Sequence, residues 1–594
     1  MREVKDCLID TLEVLKISSK ESVENLERFS PFKEYMHVER HVQRELIKLL
    51  EGTNKATRSQ LILVCGSVGD GKSHLLSYLQ HHYKDLLEDI RLYNDASESF
   101  NPEDSDIDTL NRELDAFSDD HIDSTSIHKM VIAINLGTLS NFIESPYKER
   151  YSKLREFVYK NKILDNEIVD YQYQENSPFQ VINFSDYHMY TLTEDGPRSK
   201  YIKKLINKLV DKNSDDNIFY KSYRNYCREC KYRFKCIVKI NYSLLQKEHI
   251  REGIVQVLIQ AMIREKLIIS TRELLNFFND LLVGGMSKQN IMDLNQKKES
   301  LEKILEQNAL LLPNIMYEKV ELSNIISKLH KIDPLTKVDK KFEDDLLHYQ
   351  LTNEIIDNIR NDLKDLDKMF IAYISEKINE AQIQGFSQSK LIEIRYELFK
   401  LYRRTKYLGQ GKLEEETYIG YMKDLYRSNK KDKNQLKELF REVRDNLYRW
   451  DGSISIKGIR VSSSKTHRTL GIYEQVNIKP YINHYEIVEE NELEKFVTDI
   501  VLSYTCDQGR TIIDINIDYA LYELIKKMSA GYLPNKEEHN KNLALQIFIE
   551  KILKANRKYK EEIDEKQLIF EMLQEQGVKR YKLELNEFGQ YEFS

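Results

Sequence analysis

One run constrains this chain more than any other: Gly66-Ser67-Val68-Gly69-Asp70-Gly71-Lys72-Ser73 fits the pattern of glycine, a four-residue spacer, glycine, lysine and serine at every position. The apolar run Leu61-Ile62-Leu63-Val64-Cys65 precedes it, and Ser73-His74-Leu75-Leu76-Ser77-Tyr78-Leu79 continues with helical periodicity. The expected order is therefore strand, loop, helix. Backbone N–H groups can converge on phosphate oxygens only where the chain wraps tightly, and Gly66, Gly69 and Gly71 permit that wrapping. The helix N-terminus adds partial positive charge at the same point. In this reading the loop from Gly66 to His74 cradles the phosphates of ATP, Lys72 reaches the β- and γ-phosphates, and the Ser73 hydroxyl ligates Mg2+.

Hydrolysis needs more than binding: an acid on the magnesium side and a polar group near the attacked phosphate. The strand Met130-Val131-Ile132-Ala133-Ile134 ends in Asn135-Leu136-Gly137 rather than in paired acids, which makes Asn135 a candidate sensor of the γ-phosphate. Asp95, just after the short strand Arg91-Leu92-Tyr93, is the first candidate for the acid, with Glu98 behind it and Asp186 after a later strand, Gln180 to Phe184. Downstream, Ser270-Thr271-Arg272 opens a helix, and Arg272 is a candidate to return a guanidinium to the γ-phosphate. A solvated arginine in a first helical turn fits that sequence equally well.

The 594 residues suffice for roughly two to four domains. The periodicity places amphipathic helices in 1–55, a nucleotide-binding α/β domain in 56–290 with a cysteine insertion at 226–237, a helical domain in 291–450 and a mixed α/β region in 451–594. Within the last, alternation marks Ser453 to Ile456, Val476 to Ile478 and a closing hairpin from Tyr581 to Phe593, while Leu493 to Tyr504 reads as helix. The acid-rich 95–123 stretch, with a helix near Thr109 to Phe117, reads as solvated surface. No apolar run approaches the roughly 18 residues of a membrane span, and acids sit where a signal peptide would be basic, so a cytoplasmic location is expected.

Two features carry separate chemistry. Cys227-Arg228-Glu229-Cys230 followed by Cys236 has the spacing of a metal knuckle, suited to structural zinc, but only three ligands are evident. His249, His188 or remote Cys506 would have to complete it; an iron–sulfur cluster and three reduced thiols are the alternatives. The other feature is charge. The chain's total is −7, yet residues 421–470 hold 13 Lys and Arg against 6 Asp and Glu. Upstream, Arg403, Arg404 and Lys406 lie among Tyr396, Tyr402 and Tyr407, and within the segment Arg441, Arg444 and Arg449 accompany Tyr448 and Trp450. Cations that neutralise phosphates beside rings that stack on bases make 391–470 a candidate DNA surface. A solvated helix rich in Lys and Tyr has the same composition.

Together the extended loop Gly66 to Ser77, Asn94-Asp95-Ala96-Ser97, Ile134 to Gly137 and the Cys227 to Cys236 module resemble DptF, the P-loop component of DNA phosphorothioation-dependent restriction systems. The resemblance is clearest over 1–290. It implies an α/β P-loop NTPase core of AAA+-like type with helical extensions, acting with the partner proteins DptG and DptH to restrict DNA that lacks the host's backbone sulfur. No nuclease motif is evident, so the expected role is a nucleotide-gated regulator or motor, in an oligomeric state left open. A stand-alone DNA-dependent ATPase or loader and a nucleotide-binding scaffold without turnover are the rival expectations.

Overall fold

The computed structural model describes residues 7–21, 31–67, 69–93, 105–164, 172–298, 300–336, 340–352, 357, 361, 368–383, 385–409, 415–450, 458–461, 470–483, 485, 487–563, 567–574, 577–586, 588 and 590–593. The chain parts into two compact units, Met1–Thr191 with Pro197–Leu413, and Leu192–Gly196 with Glu414–Ser594. Along the sequence the chain passes between the units at 191/192, 196/197 and 413/414.

In the first unit, helices α1 (Leu8–Glu21), α2 (Pro31–Met36) and α3 (His41–Lys55) lead into strand β1 (Gln60–Cys65), the glycine loop and helix α4 (Lys72–His82). Strands β2 (Arg91–Tyr93), β3 (Lys129–Ile134) and β4 (Phe179–Asn183) complete a parallel sheet in the order β2-β3-β1-β4. All four strands follow short apolar runs, as a parallel sheet covered on both faces requires. Alternation divides β1 between two cores. Leu61, Leu63 and Cys65 join Ile132, Phe142 and Leu154 on one face, while Ile62 and Val64 join Leu46, Leu50 and Leu76 on the other. Helices α3 and α4 thus cover one face; the helices Asp106–Glu113, Leu136–Ile143 and Ser152–Lys160 cover the opposite one.

The acid-rich stretch is corrected by that packing. Its residues 95–104 lie outside the described residues, but Leu110, Leu114, Phe117 and Ile122 are core side chains, so the segment is amphipathic rather than merely solvated. Beyond the sheet, a helical layer runs through Lys200–Val210, Ile218–Glu229, Ile237–Leu245, Glu248–Arg264 and Thr271–Val283.

The second unit is mixed. Ile500–Thr505 pairs antiparallel with Ile513–Ile517 and with Lys479–Pro480. A five-stranded antiparallel sheet runs Tyr591–Phe593, Gly577–Leu585, Gln567–Gln574, Leu470–Gln475, Gly458–Arg460, and contains the closing hairpin. The helix expected at Leu493 to Tyr504 is instead two strands, Glu492–Lys495 and Ile500–Thr505. The β-branched and aromatic run Ile500-Val501-Leu502-Ser503-Tyr504-Thr505 favours a pleated ladder, and cross-strand pairing with Ile513, Ile515 and Ile517 decides it. Val476 and Ile478 are buried beyond the end of a strand, and Ser453 to Ile456 lie outside the described residues.

The basic region is corrected more sharply. It divides between the two units, and several side chains that were to face DNA are interior. Arg404, only 3% exposed, forks onto Asp333 at 2.6 Å and onto Glu318 at 2.6 Å. Tyr448 donates to the Val476 carbonyl, and Trp450 is buried against His539. Tyr396, Lys406, Arg441 and Arg449 remain exposed.

Candidate nucleotide site

The glycine loop leaves the carboxyl end of β1 where the sheet's connections part, with β3 and β2 to one side and β4 to the other. Ligands in open parallel sheets settle in that crevice. Gly69 has φ +88° and Gly71 has φ +93°, a left-handed conformation that side chains other than glycine adopt only with strain. Gly71 is also the N-cap of α4, so the turn feeds directly into a helix start. A Cβ on Gly69 would stand 2.9 Å from the Cβ of Ser270. This contact brings the beginning of the Thr271–Val283 helix against the loop. Ser270 caps that helix and exchanges bonds with Glu273, forming a capping box. Two helix N-termini therefore approach one loop, an arrangement that favours an anion.

The loop's polar atoms are engaged. Lys72 Nζ donates to the carbonyls of Gly66 at 3.0 Å and Ser67 at 2.7 Å. The Ser67 N–H donates to Asp70 Oδ2 at 2.6 Å. Burial raises the Asp70 carboxyl above its usual value against the opposing pull of Lys72, the Ser67 N–H and Arg40. Ser73, the second residue of α4, is half-buried, and Val68 lies outside the described residues.

Arg40 is a site residue that sequence reasoning missed. It donates to the carbonyls of Asp70 at 3.0 Å and Tyr187 at 3.2 Å, and its guanidinium lies over the rings of Phe184 and Tyr201. Tyr201 in turn meets Thr271 Oγ1 at 2.9 Å. The result is a polar brace from the segment before α3, across the loop, to the second helix start. No local pattern marks Arg40, because every partner is remote in sequence.

His74 faces a second cluster. His37 bonds His74 at 3.1 Å and Gln43 at 3.0 Å, and its ring stacks on Tyr78 at 3.6 Å. Burial pulls both histidines down to about 4, so both are neutral at pH 7. His37 also lines a cavity of about 600 Å³ together with Glu39, Asn207, Lys208, Gln246 and Arg251. Asn207 Oδ1, Gln246 Nε2 and Arg251 Nε are buried there without a hydrogen-bond partner among the described residues.

The other candidates divide. Arg272 is in the first turn of the helix that abuts the loop. Asn135, whose neighbour Ile134 pairs with Cys65 at the end of β1, spends its Oδ1 as a helix cap on the Thr138 N–H at 2.7 Å. Asp186 is held by Asn183 at 3.0 Å, and beyond the burial that dominates, the Cys65 thiol feels both Lys72 and Asp186. Asp95 and Glu98 lie outside the described residues. Cys227, Cys230 and Cys236 occur at the junction of the Ile218–Glu229 and Ile237–Leu245 helices, and among the described residues no three His, Cys, Asp or Glu side chains stand in position to hold a metal ion. No described helix is long and apolar enough to cross a membrane. No family model, curated protein or solved structure matches the chain.

Proposed function

We propose that this chain binds ATP with Mg2+ at the Gly66–His74 loop and hydrolyses it, as a component of a phosphorothioation-dependent restriction complex of the DptF kind working with DptG and DptH. The observation that carries the nucleotide reading is the loop's conformation: left-handed glycines turning the chain from a central strand into a helix start, with a second helix start against Gly69. In this reading Lys72 Nζ exchanges the Gly66 and Ser67 carbonyls for β- and γ-phosphate oxygens, and the Ser67 N–H exchanges Asp70 for phosphate. Bound Mg2+ supplies charge neutralisation on the phosphate oxygens, with the Ser73 hydroxyl as its protein ligand. The base and ribose take the cavity beside His37, whose lining includes the polar side chains Asn207, Lys208, Gln246 and Arg251.

The sheet order supports the assignment of the remaining groups. β3 lies between β1 and β2, so Asn135 follows the strand beside the loop strand, while Asp95 is assigned from the sequence alone. Asn135 keeps its amide N–H groups for the γ-phosphate while its carbonyl caps the helix. Arg272 adds charge from the first turn of the helix that abuts the loop. Action on DNA rests on the resemblance alone, since the rings chosen to stack on bases are largely interior.

The test is calorimetric titration with ATP and Mg2+ of the parent and of Lys72→Ala. Loss of at least tenfold in affinity is expected; equal affinity removes the reading. Turnover that DNA stimulates in the protein alone would favour a stand-alone loader, and tight binding without turnover a scaffold.

A further inference from the structure

The three-cysteine module lacks a fourth ligand nearby in sequence, and the fold supplies one from the start of the first unit. Cys7 immediately precedes α1. Buried Thr11, one turn into that helix, hydrogen-bonds the Cys7 carbonyl at 3.2 Å and Ser222 Oγ at 3.1 Å. Ser222 belongs to the Ile218–Glu229 helix, whose last turn carries Cys227 and whose C-cap is Cys230. Cys7 lies one turn before Thr11, and Cys227 just over one turn after Ser222. The Leu8 backbone N–H also approaches the Cys227 sulfur, and the two contacts together set the start of α1 against the end of the other helix. Cys236 closes the set as the N-cap of Ile237–Leu245, after the short turn from Lys231 to Lys235.

We propose that Cys7, Cys227, Cys230 and Cys236 form a structural zinc site that clamps the start of α1 to the junction of the Ile218–Glu229 and Ile237–Leu245 helices. Four thiols carried to one helix junction are the ligand set of a closed tetrahedral Zn2+ site. Cys236 sits at the N-terminus of the Ile237–Leu245 helix, where the helix dipole favours negative sulfur. Cation charge stands close by, with Lys239 Nζ at 3.4 Å from the Cys227 carbonyl and Lys288 paired to Asp10 in the first turn of α1. All four are free cysteines, and Cys230 and Cys236 are the half-exposed pair. Since no three of them stand at ligating distance, binding draws this pair, carried by the short turn, onto the buried Cys7 and Cys227.

The site is independent of the nucleotide reading, and its test does not use ATP. The full-length protein, purified under reducing conditions from zinc-supplemented cells, is assayed for metal by mass spectrometry and by X-ray absorption at the zinc edge. About one zinc per chain with four sulfur ligands at about 2.3 Å is expected. Cys7→Ser should lose most of the metal, while Cys506→Ser, whose thiol in the second unit faces the Ile552 carbonyl, should keep it. A metal-free parent, an iron-containing parent, a shell of three sulfurs, or unchanged zinc in Cys7→Ser would each overturn the site. Should Cys7→Ser not fold, the absorption spectrum of the parent decides alone.

Discussion

The glycine loop and the basic stretch around 403–450 were both singled out by local composition, and they fare differently in three dimensions. The loop's requirements are backbone requirements: a strand, a tight turn through left-handed glycines, a helix start. Each is set by neighbours in sequence, so Gly66, Gly69, Gly71 and Lys72 arrive together at the end of β1. A positive side chain carries no comparable instruction about where it points. Arg404 reads as a phosphate ligand beside Tyr402, yet Asp333 and Glu318, far upstream, take its guanidinium into the interior, where Asn314 also accepts from it at 2.9 Å. Charge counts report what a segment can bind; tertiary partners decide whether it is free to do so.

The largest effect that could break this comparison is at Arg404. Removing one partner from a buried ion pair leaves uncompensated charge, so Arg404→Ala should destabilise the first unit by about 3–5 kcal/mol. Chemical denaturation measures this; a change under about 1 kcal/mol, together with weakened DNA binding, would restore the sequence-level reading of the segment. At the loop, Gly69→Ala is expected to cost about 1–3 kcal/mol, since the alanine must hold φ +88° and displace Ser270. Its larger consequence is functional: nucleotide affinity should fall at least tenfold as the helix start at Thr271 moves off the loop. Titration of ATP into this variant reads the two effects apart, and parent-like affinity would mean that the Ser270 approach does not shape the site.

The same distinction explains what was legible elsewhere. The four strands of the parallel sheet follow apolar runs bounded by polar sequence, so period and length suffice to locate them. Ile500–Thr505 fails on those grounds because a short apolar run suits helix or strand equally, and the cross-strand isoleucines that settle it lie beyond the following loop. Arg40 and Cys7 were illegible for another reason. Each is an isolated residue in helical sequence, and each gains its meaning from elements folded back over it: the loop, Tyr187 and Tyr201 for Arg40, the Cys227–Cys236 junction for Cys7.

The smallest predicted effect separates the two regions by pH. His37 and His74 titrate at about 4 in the folded chain against 6.5 for an unperturbed imidazole, so the unfolded state binds protons that the folded state refuses. Stability should be unaffected above pH 7 and decline as pH falls from 6.5 toward 4. Between pH 7 and pH 6 the loss is about 0.5–1 kcal/mol per histidine. In the Arg404 network, burial would raise the Glu318 carboxyl, but hydrogen bonds and charge from Arg404 and Lys400 outweigh it and hold the group below its usual 4.5. That contribution is complete above 4.5 and is lost only as pH falls below it. Denaturation midpoints followed from pH 7.5 to pH 5 should therefore report the loop flank and not the buried arginine. His74→Gln should flatten the profile over this range, whereas Glu318→Gln should lower stability at every pH and leave the slope unchanged. A slope insensitive to His74→Gln would place the titrating groups elsewhere and remove the stacked histidines from the support of α4.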